Sequence, residues 1–153
     1  MLIELGNASV FRDLDEPSLI AITHFSKFIN LMDGEILISE KEPKSDDIFV
    51  LCSGQVEIVS NGSNMTSGEV SLSKNDKDIF GEVGWLCNGR RTATVRAIGD
   101  VEAICIDGQH LKTFLFDHPH TGVKFLFNIS KTLAERLDTT NGLLKQLLWN
   151  TGY

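Results

Sequence analysis

The sequence has no basic cluster and no long apolar run. Its 153 residues hold 14 Lys and Arg against 21 Asp and Glu, a formal net charge of −7 at pH 7. Nucleic-acid backbones demand clustered basic side chains, so this balance argues against a nucleic-acid surface. No apolar run reaches the roughly 20 residues that a membrane-spanning helix needs. The acidic N-terminus also differs from a secretory signal peptide, and we expect no membrane contact.

Cysteine is also scarce. There are three, Cys52, Cys87 and Cys105, and no two of them form a CxxC pair. The odd number and the spacing favour free thiols in a reducing cytoplasm. Cys52 and Cys105 lie in apolar runs, which predicts that they are small core residues. With 42% hydrophobic and 23% charged residues, the composition is that of an ordinary globular protein.

The hydrophobic pattern predicts a mainly β fold with flanking α-helices, in one domain over residues 1–153. Residues 8–25 are predicted as an N-terminal helical part, which Asp15 caps and in which Pro17 occupies the first turn. Residues 26–106 alternate short β-branched runs with turn signals, and residues 107–150 return to a helical period. The expected strands are "FIN", "EILIS", "DIFVLC", "QVEIVS", "EVSLS", "DIF", "TATVRAI" and "VEAICI".

About eight short strands predict an antiparallel, jelly-roll-like β-roll. The expected turns between the strands include Ser53-Gly54, Asn61-Gly62 and Gly99-Asp100. Asn-Gly after "QVEIVS" is a strong hairpin signal, because both central residues of a type I′ turn need positive φ. His118-Pro119 marks the expected start of the long C-terminal helix.

The stretch "FGEVGWLCNGRRTATV", residues 80–95, concentrates the chemistry. Gly81 permits a backbone conformation closed to other residues and lets a ligand approach. The start of a short helix at "EVGWLCN" favours an anion, and Arg91 adds a permanent charge with a planar donor fork. Glu82 would repel a bare phosphate, so it indicates a ligand with hydroxyl donors, and Thr92 adds a hydroxyl. Together these residues predict a sugar-phosphate site.

This stretch resembles the phosphate-binding cassette of the cyclic nucleotide-binding domain family, which includes catabolite-activator-like regulators and protein kinase regulatory subunits. The family pattern is approximately F-G-E-[LIV]-[AG]-[LI]-[LI]-x-x-x-x-R-[AST]-A-[TS]-[VI]. Trp85 replaces a smaller aliphatic residue, and Arg90 stands where proline is common. Upstream, "VFRDLDEPSLIAI" and "DGEILISEKEPKSDDIFVLCSGQVEIV" are similar to the family's first helix and strand-loop-strand entry. Lys41 and Lys44 stand where glycines are frequent, and the likeness covers roughly residues 8–148.

The resemblance implies a role for each cassette residue. Glu82 would accept a hydrogen bond from the ribose 2′-hydroxyl, and Arg91 would pair with the cyclic phosphate. Backbone N–H groups near Gly81, Val83 and Gly84 would complete the phosphate cradle. Thr92 would contact the phosphate and a purine edge, and a threonine at this position occurs in family members that accept cyclic GMP.

The last helix has two interpretations. Its apolar stripe packs back on the roll, or it is the family's closing helix, which covers the purine and often pairs with a second copy in a homodimer. The second interpretation places four candidate purine contacts near the pocket: Arg136, Thr139, Thr140 and Asn141. An exposed turn or a frayed helix explains the three polar residues 139–141 equally well.

The predicted function is therefore a non-catalytic regulatory domain that binds cyclic AMP or cyclic GMP and signals through its C-terminal helix. The alternative is a degenerate, ligand-free β-roll that serves as a dimerisation or adaptor module. A transcription regulator of the catabolite-activator type would need a helix-turn-helix after the long helix, and this sequence ends at Tyr153 without one. An effector protein or domain is an expected partner.

Other chemistries find little support. His118 and His120 form an H-x-H pair, but the pair flanks Pro119 at a helix start without a nearby carboxylate, so no metal site is expected. No Ser, Cys or His falls in a nucleophile motif, which argues against an enzyme. For Trp85 and Trp149 a core or helix-packing role is expected rather than base stacking.

Overall fold

The computed structural model describes residues 1–59, 72–74 and 79–150. The N-terminal part is helical from Leu2 rather than from residue 8. It comprises α1 (Leu2–Asn7), a 3-10 turn (Ser9–Phe11) and α2 (Glu16–Thr23) instead of one continuous helix. Asp13, with φ of 64°, lies in the connection between the last two elements. The prediction that Asp15 caps a helix is confirmed, since its Oδ1 accepts a hydrogen bond from the Ser18 backbone N at 2.9 Å.

The described residues contain six strands, all in one sheet with antiparallel pairing. The sheet order is β1-β6-β3-β4, with β2 also on β6 and β5 also on β3. Their bounds are β1 (Ser26–Leu31), β2 (Ile36–Ile38), β3 (Ile48–Val59), β4 (Leu72–Lys74), β5 (Ile79–Phe80) and β6 (Thr94–Ile106).

Two expected turns lie inside long strands, which is why about eight predicted strands become six. β3 runs through Gly54 at φ +92° with register shifts on either side of Ser53. β6 runs through Gly99 at φ +68°. A glycine with positive φ serves a bulge as well as a turn, so the strand bends and continues. The expected hairpin at Asn61-Gly62 lies outside the described residues, as does the start of the predicted strand at residues 69–71.

Two buried clusters hold the fold together. One packs the helices against the outer face of the roll, and it includes Leu5, Phe11, Ile22, Ile48, Trp85, Ile106, Phe125 and Ile129. The other fills the roll, and it includes Leu37, Phe49, Leu51, Val56, Phe80, Val95 and Ala103. The prediction for Trp85 is confirmed, and its Nε1 donates to the Gly108 carbonyl at 2.9 Å. The prediction for Trp149 is wrong as far as this chain's own core is concerned, because its side chain is 83% exposed.

Three further helices are described. α3 (Glu82–Leu86) lies between β5 and β6, and α4 (Gly108–Asp117) and α5 (Pro119–Asn150) follow β6. The predicted start of the long helix at Pro119 is confirmed. The buried residues of α5 all lie in its first half, which packs against the 3-10 turn and α4: Thr121, Gly122, Phe125 and Ile129. Residues 137–150 are all exposed. Within the described ranges, no helix combines the length and the apolar character that a bilayer span requires.

Candidate ligand-binding site

The turn from β5 into α3 is formed by Gly81, which has φ of +84°. A Cβ at this position would lie 2.6 Å from the Asp47 carbonyl oxygen and 2.7 Å from Arg91 Nη1. A Cβ on Gly84 would lie 3.1 Å from the same Nη1. The two glycines therefore give the guanidinium of Arg91 a place against the backbone of the cassette.

Arg91 is a buried cation, with 9% of its surface exposed. Its Nη2 donates to Ser45 Oγ and to the Asp47 carbonyl, both at 3.0 Å, and its Nη1 donates to the Gly81 carbonyl at 3.4 Å. None of these acceptors is charged, and no carboxylate forms an ion pair with Arg91 in the parts of the chain that are described. Its Nε is buried, and no hydrogen-bond partner for it lies among the described residues.

Burial dominates the electrostatics of this arginine. Loss of solvation lowers the pKa of the Arg91 guanidinium from its ordinary value, while the carboxylates of Asp47, Glu42 and Asp46 act in the opposite direction. A buried, unmatched N–H donor is costly unless a partner is supplied. The site therefore has unused capacity to donate hydrogen bonds to an anion.

Glu82 is buried in the first turn of α3, and it contacts the long helix. Its Oε1 accepts a hydrogen bond from Arg136 Nη1 at 2.6 Å, and Arg136 Nη2 donates to the Ile79 carbonyl at 2.5 Å. The side chains are 8% and 24% exposed, respectively. The guanidinium of Arg136 also lies over the Phe80 ring, 5.8 Å from its centroid. One side chain thus joins α5 to both β5 and α3.

These residues surround a cavity of about 100 Å³. The cavity is smaller than the roughly 300–1,000 Å³ typical of small-molecule sites, and Arg136 forms part of its wall. It brings together all six cassette residues that the sequence pointed to. The lining residues are Ile38, Ile58, Phe80, Gly81, Glu82, Val83, Gly84, Arg91, Thr92, Ala93, Val95 and Arg136.

Three of the four candidate purine contacts do not line this cavity. Thr139 Oγ1 donates to the Glu135 carbonyl at 2.9 Å, and Thr140 Oγ1 donates to the Arg136 carbonyl at 2.8 Å. Both hydroxyls are therefore engaged by the preceding turn of the helix, and Asn141 is exposed beside them. Arg136 does reach the cavity, but it contacts a carboxylate.

Sequence reasoning missed the apolar walls of the cavity and the residues behind the arginine. Ile38 on β2 and Ile58 on β3 both pair with Val95 on β6, which brings three separate strands to one point. Both lie in short β-branched runs that predict strands, but no local pattern shows that the two strands share a partner. Ser45 and Asp47 lie in a polar loop, and nothing in their local pattern indicated contact with Arg91.

Among the described residues, the histidine pair forms no cluster with other potential metal ligands. His118 ends α4, and its Nδ1 lies 2.9 Å from the Phe114 carbonyl oxygen. In the described ranges, no group of three or more His, Cys, Asp or Glu side chains is arranged to hold a metal ion.

Comparison with known proteins identifies the architecture. The family model for the cyclic nucleotide-binding domain matches residues 28–118, more than half of the chain. The chain belongs to the cyclic nucleotide-binding domain family. The match contains the whole cassette and both long strands, and it stops one residue before α5 begins.

Two relatives are similar in sequence. The CRP-like cAMP-activated global transcriptional regulator of Mycobacterium tuberculosis is 27% identical over 147 residues, which is 95% of this chain and 62% of that protein. The cAMP-dependent protein kinase regulatory subunit of Dictyostelium discoideum is 28% identical over 108 residues, 69% of this chain and 32% of that protein. The chain thus spans less than two thirds of each of these relatives.

Solved structures share the fold at lower identity. The regulatory domain of Toxoplasma gondii PKA with cAMP has a TM-score of 0.72 at 16% identity, covering 88% of this chain and 48% of that chain. The Thermus thermophilus catabolite activator protein also has a TM-score of 0.72, at 18% identity over 92% of this chain and 63% of that chain. The predicted antiparallel β-roll with flanking helices is confirmed.

Proposed function

We propose that this chain is a regulatory domain that binds a cyclic nucleotide, cyclic AMP or cyclic GMP, and responds by movement of α5. The observation that carries the proposal is Arg91, a buried guanidinium on the cavity wall whose described acceptors are all uncharged. A cyclic phosphate would supply the missing negative charge. Two relatives are named for cAMP activation and cAMP dependence, which agrees with this ligand class.

The proposed roles follow the geometry of the cassette. Arg91 pairs with the cyclic phosphate through donors left over from its three protein contacts. Glu82 accepts from the ribose 2′-hydroxyl through a carboxylate oxygen. Gly81, Val83 and Gly84 line the same cavity, and in the proposed complex their backbone N–H groups contribute further donors to the phosphate.

The base is contacted from two sides in this proposal. Thr92 lines the cavity, and no side-chain acceptor engages its hydroxyl among the described residues, so it is suited to a purine edge or a phosphate oxygen. A hydroxyl here favours acceptance of cyclic GMP beside cyclic AMP. Thr139, Thr140 and Asn141 would join only after α5 shifts or turns relative to the roll.

Signalling would pass through the contact between Arg136 and Glu82. The ligand needs the carboxylate that Arg136 engages, and it needs more room than about 100 Å³. Binding therefore requires Arg136 to move, and α5 carries Arg136. A ligand shifts a conformational equilibrium only by its difference in affinity for the two states, and this contact is where the two states would differ.

We propose that this domain is not catalytic. Of the residues that line the cavity in the described ranges, Glu82 is the one carboxylate, and it is neutralised by Arg136. A general acid or base must be within hydrogen-bond reach of the proton that it transfers, and this carboxylate is already engaged by Arg136.

The three cysteines are free thiols, which supports a reducing cytoplasm as the compartment.

A second copy of this chain is the proposed partner of α5. A second apolar stripe on this helix alternates steps of four and three residues, the seven-residue repeat of a coiled coil. It consists of Val123, Phe127, Ser130, Ala134, Leu137, Asn141, Leu144 and Leu148, all exposed. Two of its members, Ser130 and Asn141, are polar, and an asparagine at such a core position specifies register in a two-stranded coil.

Sedimentation equilibrium tests the dimer. Leu144→Glu puts a charge into the stripe, and we expect it to produce a monomer. Gln146→Glu, two residues away on the other side of the helix, should leave the dimer intact. A wild-type chain that sediments as a monomer at all protein concentrations would overturn this part of the proposal.

Thermal denaturation with cyclic AMP, cyclic GMP and non-cyclic AMP tests the ligand. A binder gains about 2.7 kcal/mol at a ligand concentration of 100 dissociation constants, and we expect that gain with at least one cyclic nucleotide and not with non-cyclic AMP. The alternative, a ligand-free dimerisation or adaptor module, predicts the same melting temperature in all three solutions.

A further inference from the structure

The guanidinium of Arg91 is held from behind by the loop between β2 and β3. Nη2 donates to Ser45 Oγ and to the Asp47 carbonyl, each at 3.0 Å. These two acceptors use both N–H groups of that nitrogen. Ser45 is the only one of Arg91's hydrogen-bond acceptors in the described residues that is a side chain, so it is the contact that a single substitution can remove.

Ser45 is itself fixed in place. Its backbone N donates to the Gly89 carbonyl at 3.1 Å, which ties it to the cassette. Its Oγ also accepts from the Asp47 backbone N at 3.3 Å, so the hydroxyl oxygen is located by its own loop. Two donors converge on one oxygen, and the position of that oxygen sets the plane of the guanidinium.

Because Nη2 of Arg91 is held in place, the directions in which Nη1 and Nε can donate hydrogen bonds are also fixed. With Nη2 committed to the loop, Nε has no partner within the described part of the chain, and Nη1 has one contact there, at 3.4 Å. Ser45 does not line the cavity, whereas Arg91 does. Its influence on a ligand would therefore pass through the arginine, by ordering a long side chain before the ligand arrives.

We propose that Ser45 is a positioning residue for Arg91, and that it sets the affinity for the phosphate without touching the ligand. The proposal rests on the proposed function. Losing the preorganisation of one long side chain, with one of its donors left unmatched, should weaken binding by about three- to tenfold.

Calorimetric titration with cyclic AMP tests this on three variants. Ser45→Ala should raise the Kd about three- to tenfold, and Ser45→Thr, which keeps the hydroxyl, should stay within about twofold of wild type. Ser39→Ala is the matched control, because Ser39 Oγ accepts from the Lys41 backbone N at 3.2 Å in the same loop without contacting Arg91. An unchanged Kd for Ser45→Ala, or an equal loss for Ser39→Ala, would overturn the proposal.

Two double-mutant cycles show whether Ser45 acts through the arginine. In the Arg91→Lys background, Ser45→Ala should have little further effect on the Kd, since the donor fork is gone; an undiminished loss would contradict the proposal. The same cycle is measured by denaturation of the ligand-free protein, where additive effects would also refute it. That second cycle tests the role of Ser45 even if the wild type binds no cyclic nucleotide. Absence of binding by the wild type would refute the proposed function but not the role of Ser45.

Discussion

Removing Arg136 should destabilise the ligand-free protein, because its partner is buried. Arg136→Ala leaves the carboxylate of Glu82, 8% exposed, without its ion pair. Breaking a buried pair by removing one partner costs about 3–5 kcal/mol. The arginine is 24% exposed, so water can reach the vacated position, and we expect a loss of about 2–3 kcal/mol.

Circular dichroism melts measure this effect. A domain of this size loses about 2–4 °C per kcal/mol, so Arg136→Ala should lower the Tm by roughly 4–12 °C. Protein concentration is held constant across variants, because association through α5 would shift the Tm by itself. Lys131→Ala, an exposed change on the same helix, should move the Tm by less than about 2 °C.

The cost of leaving the Glu82 carboxylate unpaired can be separated from the general effect of shortening a side chain on α5. If the loss arises from an unpaired carboxylate, Glu82→Gln should recover much of it in the Arg136→Ala background. A Tm for Arg136→Ala within 1 °C of wild type, as an approximate threshold for surface changes, would refute the assigned contact. Failure of Glu82→Gln to restore stability would show that the cost has another origin.

Three further results are expected. Gly81→Ala should cost about 1–3 kcal/mol in urea denaturation, because alanine is strained at φ +84° and its Cβ would meet a backbone carbonyl at 2.6 Å; a loss below about 0.5 kcal/mol would contradict this. Ellman's reagent at pH 8 should react rapidly with Cys87, which is exposed, and slowly with Cys52 and Cys105, whose thiol pKa burial raises to about 11; three equally fast thiols would contradict the packing. Asp107→Ala should remove the cap of α4 at a cost of about 1 kcal/mol at pH 7. Hydrogen bonding, chiefly from the backbone N–H of His110, lowers the Asp107 carboxyl pKa; the stabilisation is therefore present above the unfolded pKa and lost as pH falls through the lower folded value, so the difference between the variant and wild type should shrink below about pH 4. A constant difference across that range would contradict the linkage.

The cassette could be predicted from the sequence because its chemistry is contiguous. Gly81, Glu82 and Arg91 lie within a stretch of eleven residues. Their residue types indicate the local structure and chemistry: a glycine permits positive φ, and a carboxylate and a permanent cation bind a ligand that has hydroxyl groups and a negative charge. Asp15 and Pro119 were equally visible, since a helix cap and a helix start are local features.

The strand count depends on contacts that are distant in sequence. Gly54 and Gly99 carry the composition of turns, but the long pairing between β3 and β6 continues past both. Whether a glycine with positive φ ends a strand or bends it is decided by the partner strand. No window of local sequence contains that partner.

The contact between Arg136 and Glu82 joins residues 54 positions apart. Distance from the cassette placed the right part of α5 near the pocket, but each residue along a helix turns by about 100°. That rotation turns Asn141 about 140° away from Arg136, whereas Thr139 and Thr140 share its face but lie about 5 Å farther along the helix axis. Of these residues, only Arg136 lines the cavity. The rotation of α5 is set by the burial of Phe125 and Ile129, which the sequence pattern did not distinguish from the outward stripe.

Isothermal titration calorimetry of cyclic AMP and cyclic GMP into the wild-type chain, Arg91→Ala and Arg90→Ala tests the central claim most directly. Arg90 is the adjacent exposed arginine and does not line the cavity. The account predicts saturable heat for wild type and Arg90→Ala with at least one nucleotide, and a Kd at least tenfold weaker, roughly 1.4 kcal/mol or more, for Arg91→Ala. No heat from the wild type at millimolar nucleotide, or the same Kd for Arg91→Ala, would contradict it.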